Sequence, residues 1–310
     1  MSKWFLKINC ISLYTSIIMV YSMKYKNSIY GGNKMEDKKN VISFMNMKGG
    51  VAKSTLCANI GYTLSKEFNQ KILLIDMDPQ FNLTSLLIDT KTYKNEIFGK
   101  KDISLLFDVV KPSAAKTQEK IIKTDIIRKI NDKLDIIPGS LDLISINEGE
   151  ESNYKLRTFI KENKLKETYD YIFIDCPPTK GIYLTIAFYA SDYYIIPVKP
   201  DYLSTIGIEL FKTTIKEKNK PDIHRIRDLG IVFTMVSENI NHHEETMKKI
   251  KADYEYTVFK NKLHHSYKIP ENAEKGLMIY DFKTKDLLIH KHDIIELSNE
   301  FLKRIKEKNK

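Results

Sequence analysis

The sequence predicts an α/β protein with a doubly wound, mostly parallel sheet and a helical C-terminal segment. Apolar, β-branched runs alternate with helix-forming stretches from Val41 to about Val258, and no Gly/Ser/Pro-rich linker separates them. Three of these runs lead into charged or glycine-rich segments, at 41–55, 71–80 and 169–179. Because the carboxyl ends of parallel strands meet at one edge of a sheet, we expect these segments to build one site.

The first run leads into a loop that is suited to an anion. After Phe44 the chain reads Met45-Asn46-Met47-Lys48-Gly49-Gly50-Val51-Ala52-Lys53-Ser54-Thr55. The two glycines can adopt positive φ and let backbone N–H groups converge on a phosphate, and a helix that begins near Lys53 adds the partial positive charge of its N-terminus. Lys53 would reach the β- and γ-phosphates, and the Ser54 hydroxyl would ligate Mg²⁺. The alternative is a plain glycine turn with two incidental lysines.

The loop departs from the common phosphate-binding pattern, because Met47 and Ala52 stand where that pattern has glycines. Its spacing, K-G-G-x-x-K-[ST], resembles the deviant P-loop of the ParA/MinD class of ATPases. The resemblance implies that residues 48–55 bind ATP and that Lys48 reaches the phosphates of a partner subunit. A left-handed backbone at Ala52 would cost on the order of 1 kcal/mol, but the family pattern leaves that position variable.

The second run, 71–76, ends in Asp76 and continues through Asp78-Pro79-Gln80. The string D-x-D-P-Q-x-N-x-T-S-x-L resembles the second ATPase motif of ParA proteins in particular. The resemblance implies that Asp78 orients the attacking water and that Asp76 supports the metal. Either carboxylate could instead cap the helix that follows.

The third run, 169–175, ends in Asp175 and is followed by Cys176-Pro177-Pro178. This is typical of a Walker B strand, whose aspartate holds the water shell of Mg²⁺, and the two prolines stiffen the loop. The predicted metal-binding set is therefore Ser54, Asp76 and Asp175, and the predicted catalytic set is Lys48, Lys53 and Asp78. By resemblance, Pro200 lies where relatives hold the adenine ring, and the choice of ATP over GTP also depends on the resemblance.

The charge balance, 50 basic against 40 acidic residues, fits a polyanionic partner, although a lysine-rich genome would produce the same balance. The basic residues that family members use against DNA are mostly missing here. We therefore expect the DNA contacts to come from nearby lysines, namely Lys248, Lys249, Lys251, Lys260, Lys262 and Lys268. Three widely spaced cysteines indicate a reducing cytosol rather than disulfides or zinc.

The two ends of the chain carry separate expectations. We expect residues 1–34 to be a non-native extension of the reading frame and Met35 to begin a single ParA-type domain over 35–310. The apolar residues after Asp281 predict an amphipathic helix that docks on its own sheet. The alternative is that this helix lies on a membrane.

These observations predict a ParA-type partition ATPase, most similar to the plasmid-partition ParA proteins of spirochaetes. The resemblance implies a slow ATPase that uses ATP and Mg²⁺ and whose ATP-bound homodimer coats nucleoid DNA without sequence preference. A ParB-type centromere-binding protein would stimulate hydrolysis and release the dimer, with no membrane involved. The alternatives are a MinD-like positioning ATPase that cycles on a membrane and a nucleotide-binding adaptor without turnover.

Overall fold

A computed structural model describes residues 40–107, 123–146, 149–219, 224–237, 240–254 and 257–310. These residues all fall within one compact unit. The expectation for residues 1–34 lies outside the described residues.

The described chain contains a seven-stranded sheet with the strand order β3-β4-β2-β5-β1-β6-β7. All neighbouring strands are parallel except β3 and β4, which are antiparallel. The predicted α/β class and mostly parallel sheet are therefore confirmed. The strands are β1 Asn40–Phe44, β2 Ile72–Asp76, β3 Arg128–Asn131, β4 Leu134–Ile137, β5 Tyr171–Asp175, β6 Tyr193–Val198 and β7 Arg227–Phe233.

Helices cover both faces of this sheet. The α-helices are α1 Lys53–Lys66, α2 Asn82–Leu87, α3 Thr90–Thr92, α4 Lys123–Ile126, α5 Glu150–Glu162, α6 Leu165–Thr168, α7 Ile182–Ala190, α8 Ser204–Lys218, α9 Asn241–Asp253, α10 Lys268–Ala273 and α11 Leu288–Lys308. Shorter 3₁₀ or π turns lie at Tyr93–Ile97, Ile103–Phe107, Leu141–Ser145, Ile279–Asp281 and Lys285–Leu287. Among the helices of the described ranges, none has the length and apolarity needed to cross a bilayer.

The central strands are buried on both faces, which explains their continuous apolar sequences. Alternate residues enter two separate cores: Val41 packs with side chains of α5, α7 and α8, and Ile42 packs with side chains of α1 and α11. The doubly wound arrangement follows from this alternation. It also brings Asp76 and Asp175 side by side, since they are paired in register at the ends of β2 and β5.

Strand β3 is an element that the sequence analysis did not predict. It is a short edge strand of mostly polar residues joined to β4 through Asp132 and Lys133. Because it is only partly buried, it lacks the apolar run by which the central strands are recognised.

The C-terminal helix α11 docks on the sheet, as predicted. The Phe301 ring meets the rings of Tyr171 and Phe173 edge-on, with centroids 5.2 and 5.3 Å away. Next to it in the helix, the Glu300 carboxylate accepts hydrogen bonds from the backbone N–H groups of Lys260 and Asn261. The helix therefore uses its apolar face inside its own subunit.

We predict that Phe301→Ala lowers the free energy of unfolding by about 3–5 kcal/mol, because it leaves a cavity against two aromatic rings. Urea titration followed by circular dichroism measures the change. Ile289→Ala on the same helix is the matched control, since Ile289 is 46% exposed and should change stability by no more than about 0.5 kcal/mol. Similar losses in the two variants would contradict the docking.

Candidate functional site

The predicted phosphate loop spans residues 45–52, between the end of β1 and the start of α1. Gly50 has φ +67°, and a Cβ built there would meet no atom within 4 Å. Ala52 also has a left-handed backbone, with φ 59° and ψ 36°. For an L-residue other than glycine, this conformation costs about 1–2 kcal/mol. The strain considered for Ala52 from sequence is therefore present, and it lies immediately before the helix that would bind phosphate.

Two side chains, Asn46 and Thr234, tie the loop to the neighbouring strands. Asn46 Nδ2 donates to Pro197 O in β6 (2.7 Å), and Asn46 Oδ1 accepts from the backbone N–H of Lys48 (2.9 Å). On the other side, the Thr234 hydroxyl after β7 donates to Val51 O (2.9 Å). These bonds fix the backbone of the loop without using its lysine side chains.

Lys53 lies at the first position of α1 and is almost fully buried. Its Nζ donates to Lys48 O at 3.0 Å, so the ammonium lies under the loop. Burial lowers the pKa of Lys53, and the nearby Asp175 carboxylate opposes the shift. This is the position predicted for the cation that faces the β- and γ-phosphates.

Asp175 ends β5 and is completely buried. Its polar neighbours are the Ser54 hydroxyl and the Lys53 ammonium, and among the described residues neither carboxylate oxygen has a hydrogen bond of good geometry. Burial raises the pKa of this carboxyl well above its ordinary value, Asp76 adds to the shift, and Ser54 and Lys53 oppose it. A buried carboxylate that lacks well-formed hydrogen bonds, beside a hydroxyl, is a donor set that suits Mg²⁺. Ser54 and Asp175 thus fit the predicted metal.

Asp76, the third predicted metal ligand, uses its oxygens differently. Its Oδ2 accepts from the backbone N–H and the hydroxyl of Thr84 (2.8 and 2.7 Å), and its Oδ1 accepts from the N–H of Asp78 (3.1 Å). Burial raises the pKa of Asp76 to about 7, although the Thr84 hydrogen bonds lower it. The structure thus gives Asp76 a positioning role in the loop that carries Asp78, and metal ligation by Asp76 stays a prediction.

Asp78 is buried near Lys53, and its Oδ1 accepts from the backbone N–H of Gln80 at 2.9 Å. The structure therefore brings Lys53, Ser54, Asp78 and Asp175 together at the carboxyl edge of the sheet. Catalysis by Asp78 is not tested by this geometry and stays a prediction.

Lys48 has a partner that the sequence analysis missed. Its ammonium forms an ion pair with Asp201, in the loop between β6 and α8 of the same chain. Pro200, the predicted adenine contact, is buried next to Asp201. Its role toward a base stays a prediction.

The predicted DNA-contacting lysines divide into two groups. Lys248, Lys249 and Lys251 are exposed on α9, where Lys248 has only a 3.7 Å ion pair with Glu244. Lys268, in contrast, is paired with Asp286. The contact of Lys268 with DNA stays a prediction. Lys260 is exposed and Lys262 is half-buried, and their contact with DNA stays a prediction.

Sequence reasoning also missed several supporting residues: Asn46, Thr84, Gly139 and Asp201. Gly139 is required by space, because a Cβ there would lie 2.8 Å from Asp76 Cγ. Asn46, Gly139 and Asp201 contact segments that are distant in the chain, so no local signal identifies their roles. Two of the missed residues lie in segments that resemble family motifs: Thr84 in the motif that begins at Asp76, and Asp201 beside Pro200.

The fold and this loop define a P-loop nucleotide-binding protein. A family model described as AAA domain matches residues 39–227. The chain is 35% identical to an uncharacterised protein of Methanocaldococcus jannaschii, over 69% of this chain and 80% of that one. It is 30% identical to the virulence plasmid ParA family protein of Chlamydia psittaci, over 76% of this chain and 84% of that one.

Among solved structures, the chain is similar to a plasmid partition protein from Borrelia burgdorferi bound to AMPPNP. The TM-score is 0.66 and the identity 26%, and the match covers 86% of this chain and 99% of the other. The chain belongs to the ParA family of partition ATPases, and the predicted resemblance is confirmed.

We predict that Ala52→Gly leaves the free energy of unfolding unchanged or raises it by up to about 1 kcal/mol. Relief of the left-handed strain outweighs the greater entropy that glycine loses on folding. Ala52→Val should lower it by about 1–3 kcal/mol, because a β-branched residue tolerates this conformation poorly. Urea titration measures both. Ala58→Gly inside α1 is the control for the same substitution in a right-handed helix, and it should lose about 1 kcal/mol or more. Equal losses at positions 52 and 58 would disprove the strain.

Proposed function

We propose that this protein is an ATP-dependent DNA-partitioning ATPase whose ATP-bound dimer binds DNA without sequence preference. The observation that carries the proposal is the arrangement of Lys53, Ser54 and Asp175: a buried cation, a hydroxyl and a buried carboxylate lie together where the phosphate loop meets α1. The AMPPNP bound to the Borrelia relative supports a nucleotide at this loop.

In this proposal the ATP phosphates bind to the backbone of residues 48–55, with Lys53 against the β- and γ-phosphates. Ser54 and Asp175 would hold Mg²⁺, which would offset the negative charge of the phosphates. Asp78 accepts a hydrogen bond from the attacking water and so orients it. The Asp76 contacts support this role, because they tie the Asp78 backbone to the end of β2. Hydrolysis is slow until a ParB-type partner stimulates it.

The surface beside Lys48 supports the dimer. Large apolar side chains are exposed after Asp201, in the two residues before α8 and in the first half of that helix: Tyr202 78%, Leu203 57%, Ile206 53% and Leu210 60%. Leu203, Ile206 and Leu210 share one face of the helix, because they are three and four residues apart. An apolar stripe of this kind next to the nucleotide site suits contact with a second copy of the chain.

The lysines on α9 support binding to the DNA of the nucleoid, since a dimer would present two such clusters. The MinD-like alternative depended on a free amphipathic C-terminal helix. Ile294, Leu297, Phe301 and Ile305 of α11 are buried inside the subunit, and this favours the partition function.

We predict different losses for the two loop lysines. Lys53→Ala should weaken ATP binding at least a hundredfold, because it removes the cation placed against the phosphates. Lys48→Ala should leave ATP affinity of the monomer within about threefold and abolish the ATP-dependent dimer. Calorimetry with a non-hydrolysable ATP analogue measures the affinity, and analytical ultracentrifugation measures the dimer. Equal loss of nucleotide affinity in both variants would refute the role of Lys48 across the interface.

We also predict that replacing Lys248, Lys249 and Lys251 with glutamate abolishes DNA binding at moderate salt, leaves weak binding at low salt and spares ATP-dependent dimerisation. Each DNA phosphate that the protein no longer neutralises should lower the log–log salt slope by about 0.9. Fluorescence anisotropy with two unrelated duplexes over a salt series measures both effects. The control replaces three other exposed lysines with glutamate. They follow β2, which lies in the half of the sheet away from β7: Lys91, Lys94 and Lys100. DNA affinity that falls equally in both triple variants would place the basic face elsewhere.

A further inference from the structure

The Lys48 side chain forms an ion pair within its own subunit. Its ammonium is paired with Asp201 Oδ2, and the two side chains are 31% and 30% exposed. The backbone of Lys48 is fixed independently, since its N–H donates to Asn46 Oδ1 and its carbonyl accepts from Lys53 Nζ. Lys48 can therefore change partners by side-chain rotation alone, without any movement of the loop.

Asp201 is itself held in place as an acceptor for this lysine. Its other oxygen, Oδ1, lies 2.9 Å from the Ser204 hydroxyl, whose one proton is shared between this oxygen and Lys199 O, and Ser204 Oγ accepts from the backbone N–H of Asp201 at 3.3 Å. Although burial raises it, hydrogen bonds from Lys48 and Ser204 bring the pKa of the Asp201 carboxyl below its ordinary value. The carboxylate thus faces Lys48 as an anion of fixed position.

We propose that Asp201 is a positioning residue that holds Lys48 within its own subunit, so that ATP-dependent dimerisation requires this ion pair to be broken in both copies. The inference rests on the proposed function, in which Lys48 acts across the dimer. The ion pair keeps the lysine away from the phosphates of its own subunit and opposes dimerisation until a second subunit offers a stronger anion. It thereby sets the protein concentration at which the dimer forms.

The expected change in the dimer dissociation constant follows from the exposure of the Lys48–Asp201 ion pair. A partly exposed ion pair contributes a factor of about two to five to an equilibrium, and a symmetric dimer breaks two such pairs. Removing the Asp201 charge should therefore lower the dimer dissociation constant about four- to twenty-five-fold. Asp201→Asn is the suitable variant, because it keeps the size of the side chain and an oxygen for Ser204.

The first measurement is made without nucleotide, so that it reads the ion pair alone. Limited acetylation with acetic anhydride, followed by mass spectrometry, gives the labelling rate of Lys48, with exposed Lys249 as the internal reference. Asp201→Asn should raise the relative rate about two- to fivefold, and Asp201→Glu should restore it toward the wild-type value. An unchanged rate in Asp201→Asn would overturn the proposal.

The second measurement is sedimentation of the ATP-bound protein over a concentration series. We expect a tighter dimer for Asp201→Asn, wild-type behaviour for Asp201→Glu and no dimer for the double variant Lys48→Ala/Asp201→Asn. Lys166→Gln is the matched control, because it breaks a similarly exposed ion pair with Asp192 at the opposite end of β6, and it should change neither measurement. An unchanged or weaker dimer in Asp201→Asn would overturn the proposal. A wild-type chain that stays monomeric with ATP would instead contradict the proposed function, while the labelling still reports on the pair.

Discussion

The site depends on the charge balance around Asp175. This carboxylate is fully buried at the end of β5, next to Asp76 on the neighbouring strand. Two adjacent buried carboxylates repel each other and lose their hydration, which destabilises their charged forms. Thr84 offsets this cost at Asp76 with two hydrogen bonds, whereas neither oxygen of Asp175 has a hydrogen bond of good geometry among the described residues. The buried Lys53 ammonium is the nearby opposite charge, and a divalent cation at Ser54 would complete the balance.

The positions of the charged groups relative to one another depend on several strands of the sheet. The in-register pairing of β2 with β5 sets the distance between Asp76 and Asp175, and Asn46 and Thr234 tie the phosphate loop to the ends of β6 and β7. Any shift of one strand would move one charge relative to the others. The parallel sheet is thus the scaffold that fixes the electrostatics, and the cores on its two faces keep the strands in register.

The sequence was sufficient where the signal is local. Buried parallel strands have continuous apolar runs, and a glycine-rich loop before a helix has a recognisable spacing, so the central strands and the helix that begins at Lys53 were predicted correctly. It was insufficient where two distant segments meet. Neither the Lys48–Asp201 pair nor the Lys268–Asp286 pair leaves a mark in the local sequence, because each joins residues on separate elements. The left-handed backbone of Ala52 is a third kind of feature, because the loop imposes a conformation that alanine itself disfavours.

The two loop lysines show how one short segment separates binding from regulation. Lys53 starts a helix, is buried and donates to the loop backbone, so its position is set by the fold. Lys48 lies five residues earlier on a backbone that is equally fixed, but among the described residues its ammonium is paired with a partly exposed carboxylate. Breaking a buried ionic contact costs more than breaking a partly solvated ion pair. In the proposed function, Lys53 therefore stays in place at the phosphates, whereas Lys48 is the lysine that can change partners when a second subunit binds.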